Sequence, residues 1–315
     1  MRPLAKLLKS VRFQQAAVVT LLASLTACAG IGRPKTIYLA RHGQTEWNRV
    51  ARFQGDPDLD PVGYINRVSL WRLLKDKPLR AIYTSERLRT KRTAALLAKQ
   101  HKLEIMPRAA LNEIEPGVFE GICYYQVAPS DKLHPKGKIC QVKSRGAREA
   151  ETVAWLKKTI GKAWKKRLKG RLPQGENYYD IVKRVDPFLK HELYRRARSQ
   201  QILIVGHGVL NRVLLHRLMK WPLKNVSYLR QENDQVYKLR GRKLSLFTPG
   251  HGWKPCSKPK PGQRYLDCNP GPKNAAHRLP PANATKAVVA PAVIKAPAAK
   301  PAVPASTPTT IPASK

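Results

Sequence analysis

Acidic residues are scarce in this chain. Asp and Glu number 20 in 315 residues against 60 Lys and Arg, a formal charge of +40 at pH 7, and positions 269–315 contain no acid at all. A surplus of this size implies anionic partners, whether nucleic acid, phosphorylated glycans, anionic lipid or small phosphate esters. No helix-turn-helix, zinc finger or aromatic-interleaved stacking platform accompanies it, so no nucleic acid is expected among the partners. Cysteine is also sparse, five in all, with no C-x-x-C and no His-Cys cluster, which leaves a zinc site without support and the expected metal set empty. What remains is 42% apolar, enough for the core of one large domain or two small ones.

The amino terminus reads as an export signal. Arg2, Lys6, Lys9 and Arg12 form a basic region, and Ala16 to Ala27 an uncharged apolar region too short to cross a bilayer comfortably. It ends in Leu25-Thr26-Ala27-Cys28, which resembles the bacterial lipobox. The resemblance implies cleavage before Cys28, lipidation of its thiol and anchoring in a membrane leaflet. An ordinary cleaved signal peptide or an uncleaved anchor would also export the domain. Ala29 after the Cys favours the periplasmic face of the outer membrane within the cell envelope. Cys123, Cys140, Cys256 and Cys268 remain, an even number in an oxidising compartment. Pairing of sequence neighbours is the simplest of the three connectivities.

The most informative stretch is Ile37 to Asn48, I-Y-L-A-R-H-G-Q-T-E-W-N. A short apolar run ends at Arg41-His42-Gly43. In open α/β sheets ligands bind beyond the carboxyl ends of strands, so this strand would deliver a cation and a nucleophile together into such a crevice. A second strand, Gln201 to Val205, empties in the same way into Gly206-His207-Gly208, and a helix, Val209 to Met219, starts at once. The free donors and positive dipole end of that helix would stabilise an anion beside His207.

Arg-His-Gly-Gln-Thr-Glu-Trp-Asn at 41–48 resembles the signature of the histidine phosphatase superfamily, in the branch of the phosphoglycerate mutases and the fructose-2,6-bisphosphatase domain. The rest of that pattern follows in order to Pro249. The resemblance implies an α/β fold, a three-layer sandwich whose mainly parallel sheet carries helices on both faces. It makes His42 the nucleophile and His207 the second catalytic histidine, with no cofactor. Arg41 and Asn48 become phosphate ligands, and Gln54 and Gly55, in Arg52-Phe53-Gln54-Gly55, wrap the phosphate. Arg89, in Ser85 to Ala94, matches the second phosphate arginine; on a helix it would share a face with Ser85. Arg87 and Arg92 read as solvated neighbours. Gly208 joins the substrate-binding set. Glu113, in L-N-E-I-E-P-G-V-F-E-G, matches the acid that protonates the leaving oxygen, with Glu115 a rival two residues away. Leu172-Pro173-Gln174-Gly175-Glu176-Asn177 resembles the Pro-x-Gly-Glu-Ser lead into a helix.

Between the motifs, Pro61 to Asp76 has helical spacing, Ala81 to Tyr83 and Leu103 to Met106 read as strands, and Glu149 to Leu168 and Glu176 to Ala197 as helices. Residues 122–148 form a Lys-rich loop, the lid in the family. Gln235 to Thr248 alternates and pivots on Gly241-Arg242, a hairpin. The expected organisation is a signal peptide (1–27), a linker (28–35), a phosphatase domain (36–249), a Cys-containing appendage (250–268) and an extended Pro/Ala/Lys-rich tail (269–315).

Three functions compete: an envelope phosphomonoesterase acting on a small phosphorylated substrate, a phosphoglycerate mutase-like phosphotransferase, and a non-catalytic lipoprotein that holds anionic envelope polymers. Export argues against cytosolic bisphosphates as substrates, and no kinase P-loop precedes the domain in this sequence. All the motif residues needed for catalysis are present, which disfavours the third.

Overall fold

The computed structural model describes residues 32–50, 52–53, 55–122, 158, 168–257 and 266–268. Cys28, Gln54, Cys123, Cys140, the lid, nearly all of the expected helix at 149–168 and the tail lie outside them. Among the described residues, β1 (Thr36–Arg41) leads to a short helix α1 (Glu46–Arg49) and then α2 (Pro61–Leu74). Next come β2 (Leu79–Thr84), α3 (Leu88–His101) and β3 (Ile105–Pro107). After two 3-10 turns, Ala109–Leu111 and Gly117–Phe119, the described chain resumes before α4 (Tyr178–Pro187). A π-helical stretch, Phe188–Leu193, and a last turn, Tyr194–Arg196, continue α4. Then follow β4 (Gln201–Gly206), α5 (Gly208–Met219), β5 (Val236–Arg240), β6 (Lys243–Thr248) and β7 (Gly252–Pro255).

These strands form one seven-stranded sheet in the order β3-β2-β4-β1-β5-β6-β7. β3, β2, β4 and β1 run parallel, while β5, β6 and β7 extend the sheet as an antiparallel meander. Alternate side chains sort into two cores. Ile37, Leu39, Ile202 and Ile204 pack on one face with residues of α4 and α5; Tyr38, Ala40, Leu203 and Val205 pack on the other with residues of α2 and α3. β4 is buried on both sides, with Ile202 to Val205 all at 0% exposure. That is why its sequence is a continuous apolar run and not an alternation. Each such side chain contributes roughly 1.5–3 kcal/mol of burial, so the centre of the sheet, where the motifs end, is its most firmly held part.

Several expectations change. The expected helix from Glu176 starts at Tyr178, behind an Asn177 cap whose side chain accepts from Tyr179 and Asp180, and it turns π-helical after Pro187, which has no N–H to donate. Ser85 is not helical: its Oγ accepts from the Arg87 backbone N–H, and α3 begins only at Leu88. The expected linker already joins the domain at Gly32, whose N–H donates to Tyr194, while Arg33 accepts from Ser199. The sheet also runs past Pro249: β7 pairs with β6, Cys256 is bonded to Cys268, and Leu266 and Cys268 are buried in the core. The expected pairing of these two neighbours is therefore present.

Candidate active site

β1 and β4 pair in parallel with Arg41 opposite Gly206, so both strands end at one level. The ladder continues one step further, with the His42 N–H donating to the Gly206 carbonyl at 3.0 Å. His42 and His207 therefore emerge side by side, ring centroids 5.1 Å apart and planes tilted by 58°. β2, on the other side of β4, adds Ser85 beyond its own carboxyl end. The sharp turn after His42 requires Gly43, since a Cβ there would lie 2.5 Å from the carbonyl oxygen of Gly63 at the start of α2.

Hydrogen bonds set the proton positions of both imidazoles. His42 Nδ1 lies 2.7 Å from the Gly43 carbonyl, which can only accept, so Nδ1 carries the proton and Nε2 keeps its lone pair. Asn233 fixes the same residue from behind by donating to its carbonyl at 2.7 Å. In His207 the order is reversed: Nδ1 accepts from Arg89 Nη2 at 3.2 Å, because a guanidinium only donates, and Nε2–H donates to Ser85 Oγ at 2.8 Å. Ser85 passes its own proton towards Thr90 Oγ1 at 2.8 Å, and Thr90 ends the chain on the Arg87 carbonyl at 2.8 Å. Burial, then Arg89 and Arg41, push the basicity of His42 well below the ordinary value of 6.5. Burial, then Arg89, His42, Arg41 and Arg87, do the same to His207. Both rings are neutral at neutral pH.

The cations are held as firmly. Arg89 is only 1% exposed; Nη1 donates to the Gly55 carbonyl and lies 3.7 Å from Asp56. Burial lowers Arg89 to about 10, which still leaves it charged at neutral pH. Thr93 joins the two motifs, donating to the Arg89 carbonyl at 2.7 Å and accepting from the Gly43 N–H at 2.9 Å. Arg41 donates to the Gln231 carbonyl at 3.1 Å. A Cβ on Gly208 would lie 3.6 Å from the Arg41 guanidinium carbon and 3.8 Å from Glu113 Oε2, so these groups converge on that glycine.

The structure separates the two rival acids. Glu113 lies at the start of α5, with Oε1 accepting from Ile114 and Leu210 at 3.0 Å and Oε2 from Val209 at 3.2 Å. Two of the helix donors expected to serve the anion therefore serve Glu113. Glu115 turns instead to Arg87, at 2.8 Å. Arg87 is thus part of a half-buried ion pair, whereas Arg92 is half exposed, 3.6 Å from Asp58. Asn48, the third residue of α1, completes a capping box with the cap residue Thr45: its Oδ1 accepts from the Thr45 N–H at 3.2 Å and the Thr45 hydroxyl at 3.1 Å.

Sequence reasoning missed a polar brace behind the site. Gln231, 4% exposed, donates to the Leu39 and Gln235 carbonyls; Asn211, 1% exposed, donates to Ala40 and to Gln231 Oε1. These amides tie β1 to the loop before β5 and to α5. Their partners lie as much as 192 residues away, so no local pattern marks them.

A strand-end histidine pair with one buried and one partly buried arginine and a nearby carboxylate defines a class, and the chain belongs to the histidine phosphatase superfamily (branch 1), whose pattern matches residues 37–138 and 139–244. It is 28% identical over 208 residues to human 6-phosphofructo-2-kinase/fructose-2,6-bisphosphatase 4, covering 65% of this chain and 37% of that one. The chain thus spans little more than a third of that relative's length. Over 189 residues it is 30% identical to the 2,3-bisphosphoglycerate-dependent phosphoglycerate mutase of Methylobacterium sp. (strain 4-46), covering 58% of this chain and 79% of the mutase. Among solved structures, a mycobacterial glucosyl-3-phosphoglycerate phosphatase complexed with VO3 shares the fold, with a TM-score of 0.50 and 23% identity over 70% of this chain and 96% of that one. The alpha-ribazole phosphatase of Shigella flexneri does too, with a TM-score of 0.50 and 23% identity over 64% and 89%.

The lowered basicity of His42 has a consequence for rate. With His42 as the expected nucleophile, the neutral ring is the attacking form, and activity through it would be lost only as pH falls through its lowered pKa. On an ester with a good leaving group, kcat/KM should show no acid-side fall from the nucleophile between roughly pH 8 and 6. A titration centred near 6.5 would show that His42 retains its ordinary basicity.

Proposed function

We propose that this chain is a phosphomonoesterase that works through a phosphohistidine intermediate on an anionic phosphate ester of the cell envelope, a sugar phosphate or a glycolipid phosphate. The observation that carries this reading is the bond from His42 Nδ1–H to the Gly43 carbonyl. It holds a buried, neutral imidazole with its Nε2 lone pair available beside two arginines. Nε2 attacks phosphorus in line, forming the P–N bond as the bond to the ester oxygen breaks. Glu113 in its acid form gives its proton to the departing alkoxide, a step worth about 10²–10⁴ in rate. Water then attacks the phosphohistidine, Glu113 takes a proton from it, and phosphate leaves with His42 restored.

Arg41 and Arg89 stabilise the equatorial oxygens, with His207 orienting Arg89 through Nδ1, and oriented donors of this kind are worth roughly 10²–10³ each. Gln54, Gly55, Gly208 and Asn48 complete the proposed phosphate pocket. These arginines supply the charge that a divalent cation provides in other phosphoryl transfers. The reaction is therefore metal-independent.

The 30% identity to a phosphoglycerate mutase supports a second reading. In it the phosphoryl group returns to a hydroxyl of a bound acceptor and not to water. Export disfavours that reading, because glycolytic intermediates are cytosolic. The exported, lipid-anchored reading rests on the basic and apolar segments before Cys28.

Two measurements test these proposals. In a phosphate-release screen of sugar phosphates, glycolipid phosphates and simple monoesters, the wild type should release phosphate with EDTA present and His42→Ala should not. Turnover that survives His42→Ala, or vanishes with chelator, would contradict the mechanism, and transfer to an acceptor with little free phosphate would favour the mutase. For anchoring, the wild type should incorporate a palmitate analogue and partition into detergent, and Cys28→Ala should do neither. Equal partitioning of the two would rule out lipidation at Cys28.

A further inference from the structure

The segment Pro173-Gln174-Gly175-Glu176-Asn177 has no place in the chemistry above, yet it is packed backbone to backbone against the loop that carries Glu113. Val118 N–H donates to the Pro173 carbonyl at 3.2 Å, and Glu176 N–H to the Glu115 carbonyl at 2.9 Å. The approach is close enough to demand glycine on both sides. A Cβ on Gly175 would lie 2.6 Å from the Glu115 oxygen. Gly117, at φ +59°, would place one 2.0 Å from the Pro173 oxygen.

Side chains complete the brace. Glu176 Oε2 accepts from the Glu115 N–H at 3.1 Å. The same carboxylate holds Arg184 of α4 in a fork, with Nε to Oε1 and Nη2 to Oε2 both at 3.0 Å. Arg184 then spends its other donors on the acid loop: Nη1 reaches the Ala110 carbonyl at 2.8 Å and Nη2 the Glu113 carbonyl at 3.2 Å. The pair thus grips the backbone on both sides of Glu113. Residues 112–116, between the two 3-10 turns, have no regular structure of their own. The other anchor of Glu113 is its carboxylate on the α5 amides. That anchor must loosen when the carboxyl group turns to a leaving oxygen.

We propose that Arg184 and Glu176 are positioning residues, an ion-pair clamp that fixes the Glu113 main chain so that its carboxyl group meets the leaving oxygen. The proposal rests on Glu113 being the general acid. The clamp touches no substrate and acts only through that loop. A planar guanidinium can hold a carboxylate and two carbonyls at once, whereas a lysine ammonium cannot reproduce the fork. Arg184→Lys therefore keeps the charge and loses the geometry. A misplacement on the order of 1 Å costs about 10²-fold in rate.

The test is a leaving-group series. Wild type, Glu113→Gln, Arg184→Lys, Glu176→Gln and the Glu113→Gln/Arg184→Lys double variant are compared on aryl and alkyl phosphates of graded leaving-group acidity, alongside inhibition by orthovanadate and the thermal midpoint. Arg184→Lys and Glu176→Gln should lose about 10²-fold in kcat on alkyl phosphates. They should lose little on 2,4-dinitrophenyl phosphate, whose leaving group needs no proton. Vanadate inhibition should be unchanged, and the double variant should be no slower than Glu113→Gln alone. A loss uniform along the series, with weakened vanadate inhibition, would make the clamp merely structural, and no loss would leave it without a role. A steep series for Glu113→Gln with a flat one for Arg184→Lys would overturn the clamp alone. A flat series for Glu113→Gln would overturn the assignment of the acid, and the clamp with it.

Discussion

The parallel pairing of β1 with β4 is the constraint on which the site depends. The two strands adjoin at the centre of the sheet, with Arg41 opposite Gly206, and the next residue of each is a histidine. A one-residue slip would turn every side chain of a strand to the opposite face, so the register that fills both cores also brings the two imidazoles together. Ile37, Leu39, Ile202 and Ile204 on one face and Tyr38, Ala40, Leu203 and Val205 on the other enforce it. Packing, in this sense, determines where His42 and His207 stand.

Electrostatics then sets the basicity of both rings. Desolvation is the leading cause of the lowered basicity of both histidines, and neighbouring arginines act in the same direction. Neutral rings beside fixed cations suit an anionic guest, because the charge complementary to phosphate is in place before it arrives. Each cation is tied by one donor to a backbone carbonyl, Gly55 for Arg89 and Gln231 for Arg41. The Glu113 carboxylate is held on the α5 amides.

Much of this was legible in the sequence because it is periodic or local. The two apolar runs ending in histidine, the hairpin about Gly241 and the helix after Gly206-His207 all follow from patterns a few residues long. Ser85 escaped because hydrogen bonds to the Arg87 N–H, Thr90 and His207 hold it outside the helix that spacing alone would extend over it. β7 escaped because it is a four-residue edge strand between Gly and Pro, where sequence preference is weakest. The different settings of Glu113 and Glu115, and the bonds of Gln231 and Asn211, are set by partners distant along the chain. Periodicity carries no information about those. The resemblance to a family placed Glu113, and the fold explains its position through α5 on one side and Arg184 on the other.

The most direct test of the account is to trap the covalent intermediate. Enzyme quenched with alkali during turnover of a phosphorus-labelled ester should carry label that survives base and is lost in acid, as an N-linked phosphoryl group is, and peptide mapping should place it on His42. Label on another residue, an acid-stable bond, or turnover of 2,4-dinitrophenyl phosphate by Glu113→Gln with no label at any quench time, would contradict transfer through His42.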